Sequence, residues 1–121
     1  MEDPETREVC ESTETDTARV RGAQQRLIGD GTATRLAETF KALSDPTRVR
    51  IISALLRHEL CVHELSQAVG ASQSAVSHQL RTLREMRLVR SRREGRHVFY
   101  TLDDDHIYDL FRQGLEHVSH Q

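Results

Sequence analysis

Four side chains of types that commonly bind metal ions lie near the end of the chain: Asp104, His106, His117 and His120. Their spacing, D-x-H-x10-H-x2-H, combines one carboxylate with three imidazoles, a set that suits tetrahedral Zn²⁺. His117 and His120 are three residues apart, so they share a face of a helix. The pattern predicts a metal site that closes with four protein ligands.

A single helix cannot bring these four ligands to one ion. His106 lies about three turns before His117, on nearly the same face, but roughly 16 Å away along the axis. Ligands of one zinc ion lie within about 4 Å of each other, since each bond is about 2 Å. An antiparallel second copy would set Asp104 and His106 beside His117 and His120 of the partner subunit, giving two equal sites per dimer. Asp104 must then lie at or before the start of the helix.

Two other interpretations of these residues are open. In one, the three histidines are solvated side chains on a helix that also carries acids. A zinc hydrolase is disfavoured, because four protein ligands leave no position for water, and the sequence has neither an HExxH motif nor a nucleophile elbow.

Length and composition predict one small domain that needs a partner. The chain has 121 residues, of which only 36% are hydrophobic, so a second copy would help to complete its core. No apolar run approaches the ~18 residues of a membrane span. The segment MEDPETREVC lacks the basic and apolar parts of a signal peptide, so we expect a cytoplasmic protein without a membrane partner. Cys10 and Cys61 make no disulfide framework and are expected to be thiols.

The distribution of charge indicates a surface for phosphates. The formal net charge is -2 at pH 7, but residues 72–98 contain seven arginines and only two acids. This basic block lies between two acidic ends. A clustered basic block is typical of a surface that binds nucleic acid. An arginine-rich surface that is merely solvated is the alternative.

The order of predicted elements gives the fold class. Residues 1–16 are acidic and aperiodic and are expected to form a flexible tail. Apolar spacing predicts helices over residues 17–28, 32–43, 46–56, 62–69, 72–87 and 105–119, and strands over 88–92 and 97–102 around Gly95. Gly70 and Ser72 separate two short helices, which makes a helix-turn-helix, and the hairpin that follows makes it a winged helix-turn-helix, mainly α. Residues 17–121 are predicted to form one domain for DNA binding and dimerisation.

The exposed side of the second short helix is predicted to read DNA. Its side chains suit base edges or phosphates in a major groove, and arginines of the hairpin would contact phosphates beside it. The predicted DNA-binding residues are Gln73, Ser74, Ser77, His78, Arg81, Arg92, Arg93 and Arg96; Arg81, together with Arg84, is directed toward the DNA backbone. One such helix reads few base pairs, so we expect a two-fold homodimer on operator DNA with an inverted repeat.

The sequence resembles the ArsR/SmtB family of metal-sensing transcriptional repressors from about Leu36 to the C-terminus. The resemblance rests on LSDPTRVRIISALL, ELCVHELSQAVGASQSAVSHQLRTLREMRLV, REGRHVFYTL and the terminal ligands. It implies a homodimer that holds its operator when metal-free and releases it when metal binds between the last helices. Asp104, His106 and His117 match the ligands of zinc-sensing members, and His120 takes a fourth position where members have histidine or glutamate.

The resemblance also implies a second metal site at ELCVHEL. Cys61 matches a ligand cysteine, Glu64 stands where some members have aspartate, and His63 where others have a second cysteine; Cys10 would be the ligand from the tail. A small buried Cys61 and an idle Cys10 are the alternatives. The sensed ion is expected to be Zn(II), with Co(II), Cd(II) and Ni(II) left open. A winged-helix regulator that responds to thiol redox state, or to no metal, is the alternative function.

Overall fold

The described residues of the computed structural model are 15–120. The helices are α1 (Thr17–Arg26), α2 (Asp30–Ala42), α3 (Pro46–Ala54), α4 (Val62–Val69), α5 (Gln73–Glu85) and α6 (Asp105–Ser119), and the strands are β1 (Leu60–Cys61), β2 (Val89–Glu94) and β3 (His97–Leu102). This order confirms the predicted fold class, mainly α with a β-hairpin wing after a helix-turn-helix. Among the described residues, every helix is too short or too polar to cross a bilayer.

Contacts within the chain divide it into two units, Met1–Thr34 and Arg35–Gln121. The first unit includes α1, whose N-cap Asp16 accepts a hydrogen bond from the Arg19 amide at 3.1 Å. Residues 1–14 of the predicted tail lie outside the described residues. The assignment of residues 17–121 to one domain stays a prediction.

Short polar side chains begin three helices of the second unit. Asp45 before α3, Ser72 before α5 and Asp104 before α6 each accept a hydrogen bond from the amide three residues later, at 3.0, 3.1 and 3.1 Å. These bonds satisfy amides that have no partner inside the helix, so the sequence locates these three starts well. The start of α2 is at Asp30, two residues earlier than predicted, because an acidic residue suits the first turn of a helix.

The helix-turn-helix and the wing are joined by a three-stranded antiparallel sheet. Helix α4 ends at Gly70, whose φ of 70° is the left-handed conformation that glycine adopts without strain. Strands β2 and β3 pair from Val89–Leu102 to Glu94–His97, and β1 adds to the other side of β3. The sequence does not predict β1, because two residues are too few to show an alternating pattern.

The core lies where α3, α4 and α5 pack against the base of the hairpin. Its fully buried large side chains are Ile51, Ile52, Leu65, Leu80, Leu83, Leu88, Val76 and Val89. Apolar spacing predicts that Val76, Leu80 and Leu83 of α5 and Ala68 of α4 point inward; the three residues of α5 are buried, whereas Ala68 is exposed. For α3, the spacing predicts a buried stripe that includes Val49 and Ile52. In the structure Ile51 is buried as well as Ile52, and Val49 is only half-buried.

Candidate metal centre and DNA-binding surface

The first pair of candidate metal ligands lies at the N-terminus of α6. Asp104 is the N-cap, as the ligand geometry requires, and its Oδ1 lies 3.5 Å from Nδ1 of His106. The hydrogen bond that the Ile107 amide donates, helped by the neighbouring His106, holds the pKa of Asp104 below its ordinary value. Asp104 is therefore ionised in neutral solution, and its carboxylate lies beside the exposed imidazole as a candidate half-site for a cation.

The second pair lies at the opposite end of the same helix. His117 is in the last turn of α6, and His120 is the residue that ends it. The Nε2 atom of His120 lies 3.7 Å from Oε1 of Glu116, a carboxylate that the sequence analysis did not include among the ligands. Both side chains of that contact are largely exposed, so this end of α6 is also open to a partner.

Helix α6 keeps the two pairs apart within one chain. It runs unbroken for 15 residues, so His106 and His117 are separated by about 16 Å along its axis. Within residues 15–120, no three histidine, cysteine, aspartate or glutamate side chains are grouped closely enough to hold a metal ion. The candidate ligands of the described chain thus form two separate pairs at the two ends of α6, and neither pair is a complete metal site.

An open apolar groove lies along α6 between the two pairs of candidate ligands. It has a volume of about 380 Å³ and is lined by Phe40, Leu43, Val49, Leu110, Phe111, Gly114, Leu115 and Val118. Phe40 is 50% exposed, Leu115 49% and Val118 57%. Contiguous apolar side chains that face water commonly mark a site of interaction with another protein, a membrane or a ligand. Apolar spacing predicts stripes on the first helices and on the last helix as candidate dimer surface, and much of this groove is exposed in one chain.

The candidate second site is only partly assembled. Cys61 is a half-buried free thiol, and its amide donates to Oε1 of Glu64 at 3.0 Å, which holds the pKa of Glu64 below its ordinary value. His63 instead directs Nδ1 to the side-chain amide of Gln73, 2.9 Å away. Cys10 lies outside the described residues. The structure brings Cys61 and Glu64 together and gives His63 a different partner.

Helix α5 presents the predicted DNA-binding face to solvent. The residues of α5 predicted to contact DNA are all exposed: Gln73, Ser74, Ser77, His78 and Arg81. The opposite face is buried through Val76, Leu80 and Leu83, so α5 is fixed in rotation about its axis. Nη1 of Arg84 donates to Oγ of Ser91 at 3.3 Å, which connects the end of α5 to the wing.

Arg92 is held inside the wing by two carboxylates. Its guanidinium donates to Glu59 at 2.7 Å and to Glu94 at 2.7 Å, and it lies 5.0 Å from the ring centre of Phe99. The hydrogen bond between Arg92 and Glu59 lowers the pKa of Glu59 and raises the pKa of Arg92. A phosphate would compete with both carboxylates for Arg92. Arg93 and Arg96 are exposed and lie at the tip of the hairpin, where a phosphate is more accessible to them.

Comparison with known proteins gives the family. Residues 45–91 match the bacterial regulatory protein, arsR family. A transcriptional repressor SmtB homolog of Synechocystis sp. is 45% identical over 111 residues, which cover 92% of this chain and 84% of the relative. The chain belongs to the ArsR family.

Two further proteins are similar to this ArsR-family chain, one in sequence and one in structure. The cadmium resistance transcriptional regulatory protein CadC homolog of Staphylococcus aureus is 36% identical, and the match covers 93% of this chain and 93% of the relative. The solution structure of apo-NmtR superposes with a TM-score of 0.69 at 39% identity, over 78% of this chain and 80% of that one. An ArsR-family winged helix-turn-helix protein is a DNA-binding transcriptional regulator and not an enzyme, which excludes the hydrolase interpretation.

Proposed function

We propose that this ArsR-family regulator is a zinc-responsive repressor. Its metal-free homodimer binds operator DNA with an inverted repeat, and Zn²⁺ bound between the two copies of α6 weakens that binding. The names of the relatives, a transcriptional repressor and a cadmium resistance regulator, agree with repression and with a metal signal.

The observation that carries the proposal is the arrangement of α6. The helix has half a ligand set at each end and an exposed apolar groove between them. On a helical wheel, His117 is about 20° and Leu110 about 40° from His106, so the imidazoles border the apolar stripe. When two copies of α6 pack antiparallel through this stripe, each Asp104–His106 pair meets His117 and His120 of the partner subunit. One packing step therefore covers the groove and completes two metal sites.

The dimer also explains how one exposed helix reads a specific site. Each α5 carries few base-contacting side chains, and a two-fold pair of them contacts half-sites about one DNA turn, roughly 34 Å, apart. Arg93 and Arg96 at each wing tip add phosphate contacts beside the major groove. The distance between the two α5 helices is set by the dimer contact, so a change at α6 changes the fit to DNA.

The bound ion supplies a link between subunits. The four ligand side chains can reach one ion only in a particular arrangement of the two subunits. This arrangement differs from the one that favours DNA binding. The expected coupling is about 1–3 kcal/mol, which weakens operator binding about five- to 150-fold. Linkage requires operator DNA to weaken zinc binding by the same factor. The donor set of one carboxylate and three imidazoles suits zinc, and Co(II), Cd(II) and Ni(II) are the other candidate ions.

Cys61 and Glu64 form the core of a second candidate site, with His63 and the tail residue Cys10 as further ligands. Co²⁺ distinguishes the two sites, because a thiolate ligand adds a charge-transfer band and the α6 site has none. We expect tetrahedral d–d bands without the thiolate band at the first equivalent of Co²⁺ per chain.

Operator binding with and without zinc tests the proposed function. We expect fluorescence anisotropy on an inverted-repeat operator to show tight binding in chelator and an affinity about five- to 150-fold lower with saturating zinc. The affinity must also fall steeply with salt, since phosphate contacts release counterions. Release by an oxidant but not by zinc would instead support the thiol-responsive regulator.

A further inference from the structure

A side-chain hydrogen bond connects the two helices of the helix-turn-helix at the DNA-binding surface. The amide nitrogen Nε2 of Gln73, the first residue of α5, lies 2.9 Å from Nδ1 of His63, near the start of α4. An amide nitrogen can only donate, so Nδ1 accepts and the neutral ring carries its proton on Nε2. Both side chains are exposed, so the contact is made on the surface and not in the core.

The backbone that carries His63 is fixed on two sides. The carbonyl of His63 accepts a hydrogen bond from Oγ of the buried Ser66 at 2.7 Å. The first turn of α4 is also closed by the Cys61 amide, which donates to Glu64 at 3.0 Å, and Cys61 pairs with Phe99 in the sheet. The backbone of His63 is therefore held in place, and its imidazole has fewer rotatable bonds than the side chain of Gln73 that it contacts.

We propose that His63 is a positioning residue for base recognition by Gln73. A glutamine reads adenine with both ends of its amide, the oxygen accepting from N6 and the nitrogen donating to N7. The amide nitrogen of Gln73 has two hydrogens: one points to His63, and the other is left for a base. The bond to His63 sets the plane of the amide before DNA arrives, so less side-chain freedom is lost on binding. This role rests on the proposed DNA-binding function and does not involve metal.

The test is the base preference of the metal-free protein, measured in chelator on operators with each base at each position of the half-site. We expect wild type to prefer one base at the position that Gln73 contacts. His63→Ala should reduce that preference about three- to tenfold, the typical effect of one hydrogen bond. Its affinity for unrelated DNA and its salt dependence should be unchanged, since no phosphate contact is lost.

Three variants separate positioning from a general effect on folding. His63→Asn should restore the preference, because Oδ1 of asparagine can accept a hydrogen bond close to the place of Nδ1. Gln67→Ala, an exposed glutamine one turn later on α4, should have no effect. In a Gln73→Ala background, His63→Ala should change nothing further.

The outcomes that overturn the proposal are distinct from failure of DNA binding. An unchanged preference in His63→Ala, or an equal loss in the Gln73→Ala background, rejects the positioning role and leaves operator binding intact. Wild-type protein that binds every sequence equally rejects both the positioning role and the proposed function.

Discussion

His117→Ala is expected to abolish release of the operator by zinc. In the proposed dimer, this residue supplies one of four ligands from the partner's side, and three remaining ligands cannot hold the two copies of α6 in the metal-bound geometry. Zinc should then change the operator affinity less than about twofold, against five- to 150-fold in wild type. Operator affinity in chelator should stay at the wild-type value, since His117 is exposed and far from α5 in sequence. Fluorescence anisotropy with and without zinc measures both quantities.

His58→Ala is the matched control for this variant. His58 is also an exposed histidine, but it lies in the loop between α3 and β1, outside both candidate metal sites. It should respond to zinc as wild type does. If His117→Ala still releases DNA normally when zinc is added, the assignment of the sensing site to α6 is wrong.

Leu115→Glu is expected to separate the dimer and to remove specific operator binding. Leu115 lines the apolar groove and is 49% exposed in one chain, so a carboxylate is tolerated there in the monomer but not in a covered contact. A monomer contacts only one half-site, and we expect the operator affinity to fall about a hundredfold or more. Light scattering after size exclusion gives the mass of the particle, and anisotropy gives the affinity.

Arg112→Glu places a carboxylate at an exposed position of the same helix, outside the groove and on the face that carries Asp109 and Glu116. It should remain dimeric and bind the operator as wild type does. Circular dichroism and thermal unfolding of Leu115→Glu should show the wild-type helical content, because the core of the second unit does not depend on this side chain. A dimeric Leu115→Glu with unchanged operator affinity would contradict the use of this groove as the dimer surface.

The sequence predicts the fold well where local chemistry decides it. Asp45, Ser72 and Asp104 can accept a hydrogen bond from a helix N-terminus, and Gly70 can take a positive φ, so the starts of α3, α5 and α6 and the end of α4 follow from residue types alone. Ala68 was placed wrongly because periodicity on a helix of eight residues does not fix its rotation to within one residue.

The contacts that organise the site are harder to read from sequence. Arg92 and Glu59 are 33 residues apart in the sequence, and they meet because β1 joins the sheet. No local sequence pattern predicts β1. The bond between His63 and Gln73 depends on how two short helices cross. The apolar stripe of α6 is visible in the sequence, but periodicity does not tell whether the chain itself or a second copy covers it. Spacing of the ligands, in contrast, already predicts that one chain cannot complete the metal site.

Zinc stoichiometry of a mixed dimer tests the central claim most directly. One chain carries Asp104→Ala and His106→Ala, the other carries His117→Ala and His120→Ala, and both carry Cys61→Ser to remove the second candidate site. Each variant alone should form a dimer that binds no zinc tightly, and wild-type ligands in the same background should bind two ions per dimer. The mixed dimer should bind one, because one complete set of four ligands is restored across the subunits. A mixed dimer that binds none, or either variant alone binding two, would contradict a metal site shared between antiparallel copies of α6.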